Sequence, residues 1–440
     1  MSHTEFIRRM PDGTMKQINP FSGTEVWTVP GRANRPIGMP PKNPQPLKTN
    51  RGDDCAFCWN RVLETPPEKA RIVRDNDKSK GEVHIVRNAP VDDLADPWEF
   101  RRIPNLFEIV SYTYWQKNYG YDMSPSMRAR MEGYIADPAG KAHLLSVLGA
   151  KARAGQRTDW DGMEERDQLR EAEAFFGGGH DVVVSRRHFV DGATDDSQLA
   201  SAGTLTPMEH FWYMQLTIDA MRDLYAQNRY ARYVQVFQNW LKPSGASFDH
   251  LHKQLVAIDE RSVNADLEIP KVRQNPNIYN EDEVDYAGYH NLVIAENTNA
   301  VAIAGFGHRY PTIEIWSRSE ALQPWEHSLA EQRDMSNMVH AIHAASGPHM
   351  PSNEEWYCAP IDTDVRMPWH VAIKWRVSNV AGFEGGTKIY VNTLDPYHVR
   401  DRVVPELLQL RADGKIAQDI SIATECTCRV NSLKYNRALQ

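Results

Sequence analysis

An α+β fold, built of antiparallel sheets with packed helices, is what this sequence predicts, and three observations carry the prediction. Stretches of strand character cluster on both sides of one long helical pattern instead of alternating with helices one by one. That pattern, residues 207–228, sets Phe211, Met214, Ile218, Met221 and Tyr225 along a single stripe, the mark of a helix buried on one face. The chain has 440 residues, 41% hydrophobic and 25% charged, which is enough for two or three cores.

The elements follow in order. The first 54 residues hold many Pro and Gly, so extended segments and turns are expected there. A strand is predicted at 81–88. Between 111 and 173 the spacing turns helical and the charge density rises, most clearly at 124–135, 142–154 and 163–175. Gly177, Gly178 and Gly179 then break the chain before the β-branched run at 181–184. Further strands are predicted at 233–238, 252–258, 301–306, 312–316, 370–375 and 388–392, with a second helix over 320–345. No close repeat or low-complexity tract is evident.

Charge and composition exclude several classes. Lys plus Arg is 50 against 58 Asp plus Glu, a balance of −8, which argues against a general nucleic-acid binder. No apolar run approaches the roughly 18–20 residues a membrane span needs. The amino terminus lacks the apolar stretch of a signal peptide, so a cytoplasmic protein is expected. No Gly-x-x-x-x-Gly-Lys-Ser/Thr loop is present, which disfavours a P-loop site. Five cysteines are too few for a disulfide scaffold. Cys55 and Cys58 form a Cys-x-x-Cys pair after a Pro-, Asn- and Gly-rich stretch, a context that favours metal over redox chemistry.

The most informative segment runs from Val236 to Gln254. If 250–254 is extended, its period of two places His250, His252 and Gln254 on one face, with Leu251 and Lys253 on the other. An imidazole that titrates near neutrality can attack phosphorus, and an amide can hold phosphate oxygens. Taken alone, the same residues read better as a metal-ligand pair or as polar positions on an exposed strand.

The wider pattern resembles the galactose-1-phosphate uridylyltransferase branch of the histidine-triad superfamily. Phe237-x-Asn239, Gly245-x-Ser247 and His250-x-His252-x-Gln254 follow that family's order and spacing. So do Asn19 to Gly23, Arg32-x-x-Arg35-Pro36, Cys55-x-x-Cys58, Pro104-Asn105-Leu106-Phe107, and Gly179-His180 with the strand after it. In the second half, Arg309-x-Pro311-x-x-Glu314, Trp369-His370 and Phe383-Glu384 match as well. The resemblance is scattered over about 19–396.

It implies two histidine-triad-like halves, 1–260 with the helical insertion near 111–173 and 261–440, and by analogy a homodimer. His252 would take a nucleoside monophosphate as a covalent adduct, with Gln254 assisting. Arg32, Arg35, Asn105, Asn239, Gly245 and Ser247 would hold phosphate and nucleotide. His370, Phe383 and Glu384 would lie near the sugar. Cys55, Cys58, His180 and His250 would bind a structural zinc, a closed thiolate–imidazole set. The implied reaction moves a nucleoside monophosphate between a nucleotide sugar and a sugar 1-phosphate. A phosphorylase or hydrolase of dinucleoside polyphosphates or nucleotide sugars would use the same histidine. A zinc-stabilised binding protein is the reading from another class, and retention of His252 with Gln254 and Ser247 argues against it. Leu251 and Lys253 depart from the family pattern but should face away from phosphate. Pro368 stands where a second metal would need a histidine, so no second metal is expected. Cys358, Cys426, Cys428, His188, His340 and His343 read as structural or surface residues.

Overall fold

A computed structural model describes residues 5–31, 38–47, 52, 54–74 and 83–439. Two sheets organise them. The smaller has four strands: β1 (Ile7–Arg9), β2 (Met15–Ile18), β3 (Glu25–Thr28) and, parallel to β3, β15 (Ile389–Asn392). The larger has twelve. Its first half contributes β4 (Ala70–Arg74), β5 (Val83–Arg87), β6 (Phe100–Pro104), β7 (His180–Ser185), β8 (Tyr233–Trp240) and β9 (His252–Ile258). Its second contributes β10 (Val293–Glu296), β11 (Ala300–Gly305), β12 (Thr312–Ser317), β13 (Ser352–Tyr357), β14 (His370–Trp375) and β16 (Ser421–Ile422).

The strand order is β16-β10-β11-β12-β14-β13-β8-β9-β7-β6-β4-β5. Read outward from the β13–β8 seam, β14 stands where β9 does, and β12 where β7 does. Every pairing in the large sheet is antiparallel. The register carries alternation across the seam. His252 lies opposite Val184, Gln254 opposite Phe237, Phe237 opposite Glu355, Tyr357 opposite His370, and His370 opposite Trp316. His252, Gln254 and His370 therefore share one face of the sheet.

Two long helices cover the other face, α6 (Pro207–Gln227) and α9 (Leu329–Ser346). Both begin with a capping box and both follow the sequence pattern. Thr206 accepts the Glu209 N–H while Glu209 accepts that of Thr206, and Ser328 and Glu331 do the same. The second cap corrects the expected helix at 320–345. Ser328 starts α9, and Pro324 opens only a short 3₁₀ turn ahead of it.

At the seam, Lys253 and Glu354 form a fully buried ion pair at 2.6 Å. His343 donates to Glu354 at 2.8 Å and the Trp356 indole does so at 2.6 Å. Lys253 thus faces the helices, away from His252, as alternation requires.

The segment expected to be a helical insertion forms α1 (Tyr112–Tyr119), α2 (Pro125–Ala136), α3 (Pro138–Ala154) and α4 (Glu165–Arg170), and leads into α5 (Glu173–Gly177). Later helices are α7 (Val263–Gln274), α8 (Asp285–Tyr289), α10 (Gly382–Thr387) and α11 (Pro396–Ala412). Among the described residues no helix is long and apolar enough to cross a membrane.

Candidate active site and metal-ligand cluster

β9 opens at His252, a ring almost wholly buried. Its Nδ1 lies 2.7 Å from the His250 carbonyl, which can only accept, so the proton sits on Nδ1 and the lone pair on Nε2. Burial pushes the His252 pKa down to about 4, and the bond to the His250 carbonyl opposes that shift. The ring is neutral at physiological pH, the form a nucleophile needs. Phe57 packs beside it at 5.2 Å between ring centroids.

Gln254, two residues along the same face, is oriented from β7. The Ile109 N–H donates to His180 Nδ1 at 3.1 Å, so the His180 proton sits on Nε2, 3.1 Å from Gln254 Oε1. With that oxygen engaged, the Gln254 –NH2 is left to donate elsewhere. Asn105, just after β6, approaches the same oxygen at 3.4 Å.

Asn239, near the end of β8, is oriented from across the seam. Its Oδ1 accepts from Asn353 Nδ2 at 2.6 Å, and Asn353 Oδ1 accepts from Arg376 at 2.7 Å. Gly245 closes the turn between β8 and β9 at φ +92°, a conformation that suits glycine. Ser247 follows, exposed on the same connection. Arg32 and Arg35 lie outside the described residues.

Beside this face, Cys55, Cys58, His188 and His250 bring one ligand atom each to within 4.8 Å of one another. The sulfurs are 3.8 Å apart. His250 Nδ1 is 3.4 and 3.9 Å from them, and His188 Nδ1 is 3.6 and 3.4 Å. A tetrahedron with metal–ligand bonds of about 2.0–2.3 Å needs edges of roughly 3.3–3.8 Å, so the four donors fit a metal ion. His250 Nε2 donates to the Ser185 carbonyl at 2.6 Å, which turns Nδ1 toward the cysteines. The Cys58 thiol is held far below its ordinary pKa, first by its contact with Cys55 and then by His188 and His250.

The set corrects the expected ligands: His188 takes the place assigned to His180. The antiparallel register is the reason. His180, at the start of β7, lies opposite Val256, whereas Ser185, at its end, bonds the Leu251 carbonyl beside His250. A ligand from this strand can reach His250 only from beyond its carboxy-terminal end, which is where His188 stands. Phe57, between the two cysteines, packs on Ile103, Val182 and Val184 and anchors this Cys-x-x-Cys knuckle, residues 55–58, to the sheet.

The residues expected near the sugar stand on β14, which shares the sheet face of His252, and on α10. His370 is stacked between Trp316, at 3.9 Å, and Tyr357, at 4.8 Å. Phe383 and Glu384 lie on α10 beside the small sheet. Phe383 approaches Trp27, and Glu384 accepts the Ala381 N–H. Sequence reasoning missed His188, Phe57, Asn353 and Arg376. Only the first carried a signal, a histidine just past a strand that was itself recognised.

The chain matches the family described as "Domain of unknown function (DUF4921)" over residues 10–435, and it belongs to that family. An ADP-glucose phosphorylase from Arabidopsis thaliana is 22% identical over 387 residues, covering 86% of this chain and 89% of that one. A crystal structure of an ADP-glucose phosphorylase from Arabidopsis thaliana with bound ADP-glucose superposes with a TM-score of 0.56 at 18% identity, over 89% of this chain and 97% of that chain. A GalT-like protein from the same plant gives 0.55 at 17% identity, over 90% and 98%. The fold is shared with that ADP-glucose phosphorylase and with the GalT-like protein.

Proposed function

We propose that this member of the DUF4921 family transfers a nucleoside monophosphate from a nucleoside-diphosphate sugar through His252. One observation carries the reading. His252 presents a neutral Nε2, its tautomer fixed by the His250 carbonyl, on the same sheet face as the amide of Gln254. In the proposed step Nε2 attacks the α-phosphorus. A P–N bond forms, the bond from that phosphorus to the bridging oxygen breaks, and the sugar 1-phosphate leaves. An oxygen of the acceptor then attacks the same phosphorus, and the P–N bond breaks to return neutral His252.

Inorganic phosphate is the acceptor we favour, because the similar Arabidopsis protein is an ADP-glucose phosphorylase. A sugar 1-phosphate acceptor is the second reading, supported by the Phe383-Glu384 pair. Gln254 and Asn239 donate amide N–H groups to phosphate and nucleotide oxygens, while His180 and Asn353 hold those amides in place. A division into halves near residue 260 accords with the seam-centred order of the sheet.

We assign zinc to the Cys55, Cys58, His188 and His250 set, whose two thiolates and two imidazoles make a closed site. Bound there, the ion supplies a cross-link between the knuckle and the approach to β9. The test is incubation with ADP-glucose and either inorganic phosphate or a sugar 1-phosphate. Phosphate-dependent release of glucose 1-phosphate with formation of ADP supports the phosphorylase reading. Exchange with the sugar phosphate alone supports the second. No turnover of any nucleotide sugar under either condition contradicts both.

A further inference from the structure

A cavity of about 450 Å³ opens on the opposite side of the large sheet from His252. Asp181 and Arg102 alternate with His180 and Ile103 along β7 and β6, so their side chains lie on the helix-covered face. The cavity wall brings together Lys69, Arg87, Arg102, Arg130 and Arg222. Arg130 comes from α2 and Phe176 from α5, so the helical insertion roofs a basic surface that the sheet supplies.

The charges do not cancel. Lys69 Nζ pairs with Asp181 at 2.6 Å and bonds the Gly178 carbonyl at 3.2 Å. Arg102 shares Asp181 and reaches Asp223, each at 2.7 Å. Arg87 contacts Asp219 at 2.6 Å and Asp223 at 3.1 Å, and Arg222 contacts Asp219 at 2.8 Å. Five cations thus face three carboxylates. Arg130 donates to the Glu68 carbonyl at 2.5 Å and lies over the Phe176 ring, with no carboxylate within ion-pair distance among the described residues. Burial lowers its pKa to about 10; Tyr134 and Glu68 oppose that shift and Arg102 adds to it. Lys69 is lowered first by burial too, with Arg102 and Arg130 adding to it. Excess positive charge held away from water is stabilised by an anion, and guanidinium forks match phosphate oxygens in pairs.

We propose that this cavity is a binding site for a small phosphate monoester, separate from the reaction centre and completed by Arg130 of the insertion. Its volume falls in the range of small-molecule sites, and Met127 and Phe176 give it an apolar wall for the esterified group.

The test is differential labelling of the full, metal-loaded chain with phenylglyoxal, read arginine by arginine by peptide mass spectrometry. The probes are inorganic phosphate and glucose 6-phosphate, with glucose and chloride at matched ionic strength as controls. Either probe should slow modification of Arg130 roughly tenfold or more, the scale of one charge-assisted hydrogen bond, while Arg273, distant on α7, reacts unchanged. Because the readout is local, phosphate bound near His252 cannot imitate it. Arg130→Gln should weaken phosphate-ester binding by a similar factor in calorimetry and leave nucleotide-sugar turnover intact. Equal slowing at Arg130 and Arg273, or none with either probe, would overturn the proposal.

Discussion

His252 and His370 occupy equivalent positions in the large sheet, each opening a strand one removed from the β8–β13 seam, on the same face. Their surroundings differ. His252 is oriented by a hydrogen bond from Nδ1 to a backbone carbonyl, which leaves Nε2 its lone pair. His370 is clamped between two aromatic rings, and its Nδ1 has no hydrogen-bond partner among the described residues. Burial lowers both pKa values to about 4. Burial and a low pKa therefore do not distinguish a reactive histidine from a packed one; the hydrogen bond and the ring faces do. Asn353 and Glu354 of the second half reach across the seam to Asn239 and Lys253, and Arg376 holds Asn353 in place.

The sharpest way to break the comparison is to truncate both rings. His252→Ala should cost on the order of 10⁴-fold or more in kcat, as loss of a nucleophile does. His370→Ala should keep most of the turnover and lower stability by roughly 2–3 kcal/mol through lost stacking and a new cavity. Equal kinetic losses would end the distinction. The metal set comes next. Purified chain should carry close to one zinc by elemental analysis, and His188→Ala should lose it while His180→Ala retains it. Zinc retained by the first variant and lost by the second would restore the original assignment.

Glu354→Gln removes one partner of a buried ion pair, and a denaturation midpoint should report a loss of about 3–5 kcal/mol. A loss below about 1 kcal/mol would mean that the seam does not depend on this pair. A smaller effect is expected from His180→Ala, which frees the Gln254 amide to rotate. We expect kcat to fall roughly 10–100-fold with KM little changed, and an unaltered kcat would remove His180 from its positioning role.

Acid should weaken the fold gradually. His180, His340 and His370 are held near pKa 4 by burial, whereas the unfolded chain takes those protons near 6.5. Across that window the unfolded state binds more protons, so stability falls as pH drops from about 6.5 to 4. A flat urea midpoint between pH 7 and pH 5 would contradict it.

Much of the site was legible because its chemistry is local. The His250-x-His252-x-Gln254 spacing and the Cys55-x-x-Cys58 pair each fit within a few residues, and a period of two was enough to place Leu251 and Lys253 behind the sheet. Pairing was not legible. Whether His180 or His188 meets the cysteines depends on β7 running antiparallel to β9, a long-range register that no local pattern encodes. The same limit hid Asn353, which reaches Asn239 only because β13 pairs with β8, and Arg376, which bonds Asn353 in turn. β13 itself, Ser-Asn-Glu-Glu-Trp-Tyr, lacks a clean apolar alternation because Glu354 is buried as an ion-pair partner rather than exposed.

The central claim is that His252 Nε2 becomes covalently attached to the nucleotide. Intact-protein mass spectrometry after brief incubation with ADP-glucose, without acceptor, tests it directly, with the attachment site mapped by peptide fragmentation and with the His252→Ala variant run alongside. The account predicts a mass gain of one nucleoside monophosphate on the peptide bearing His252, absent from the variant and discharged by phosphate. Turnover of the nucleotide sugar with no adduct trapped, or an adduct that persists in the variant, would contradict it.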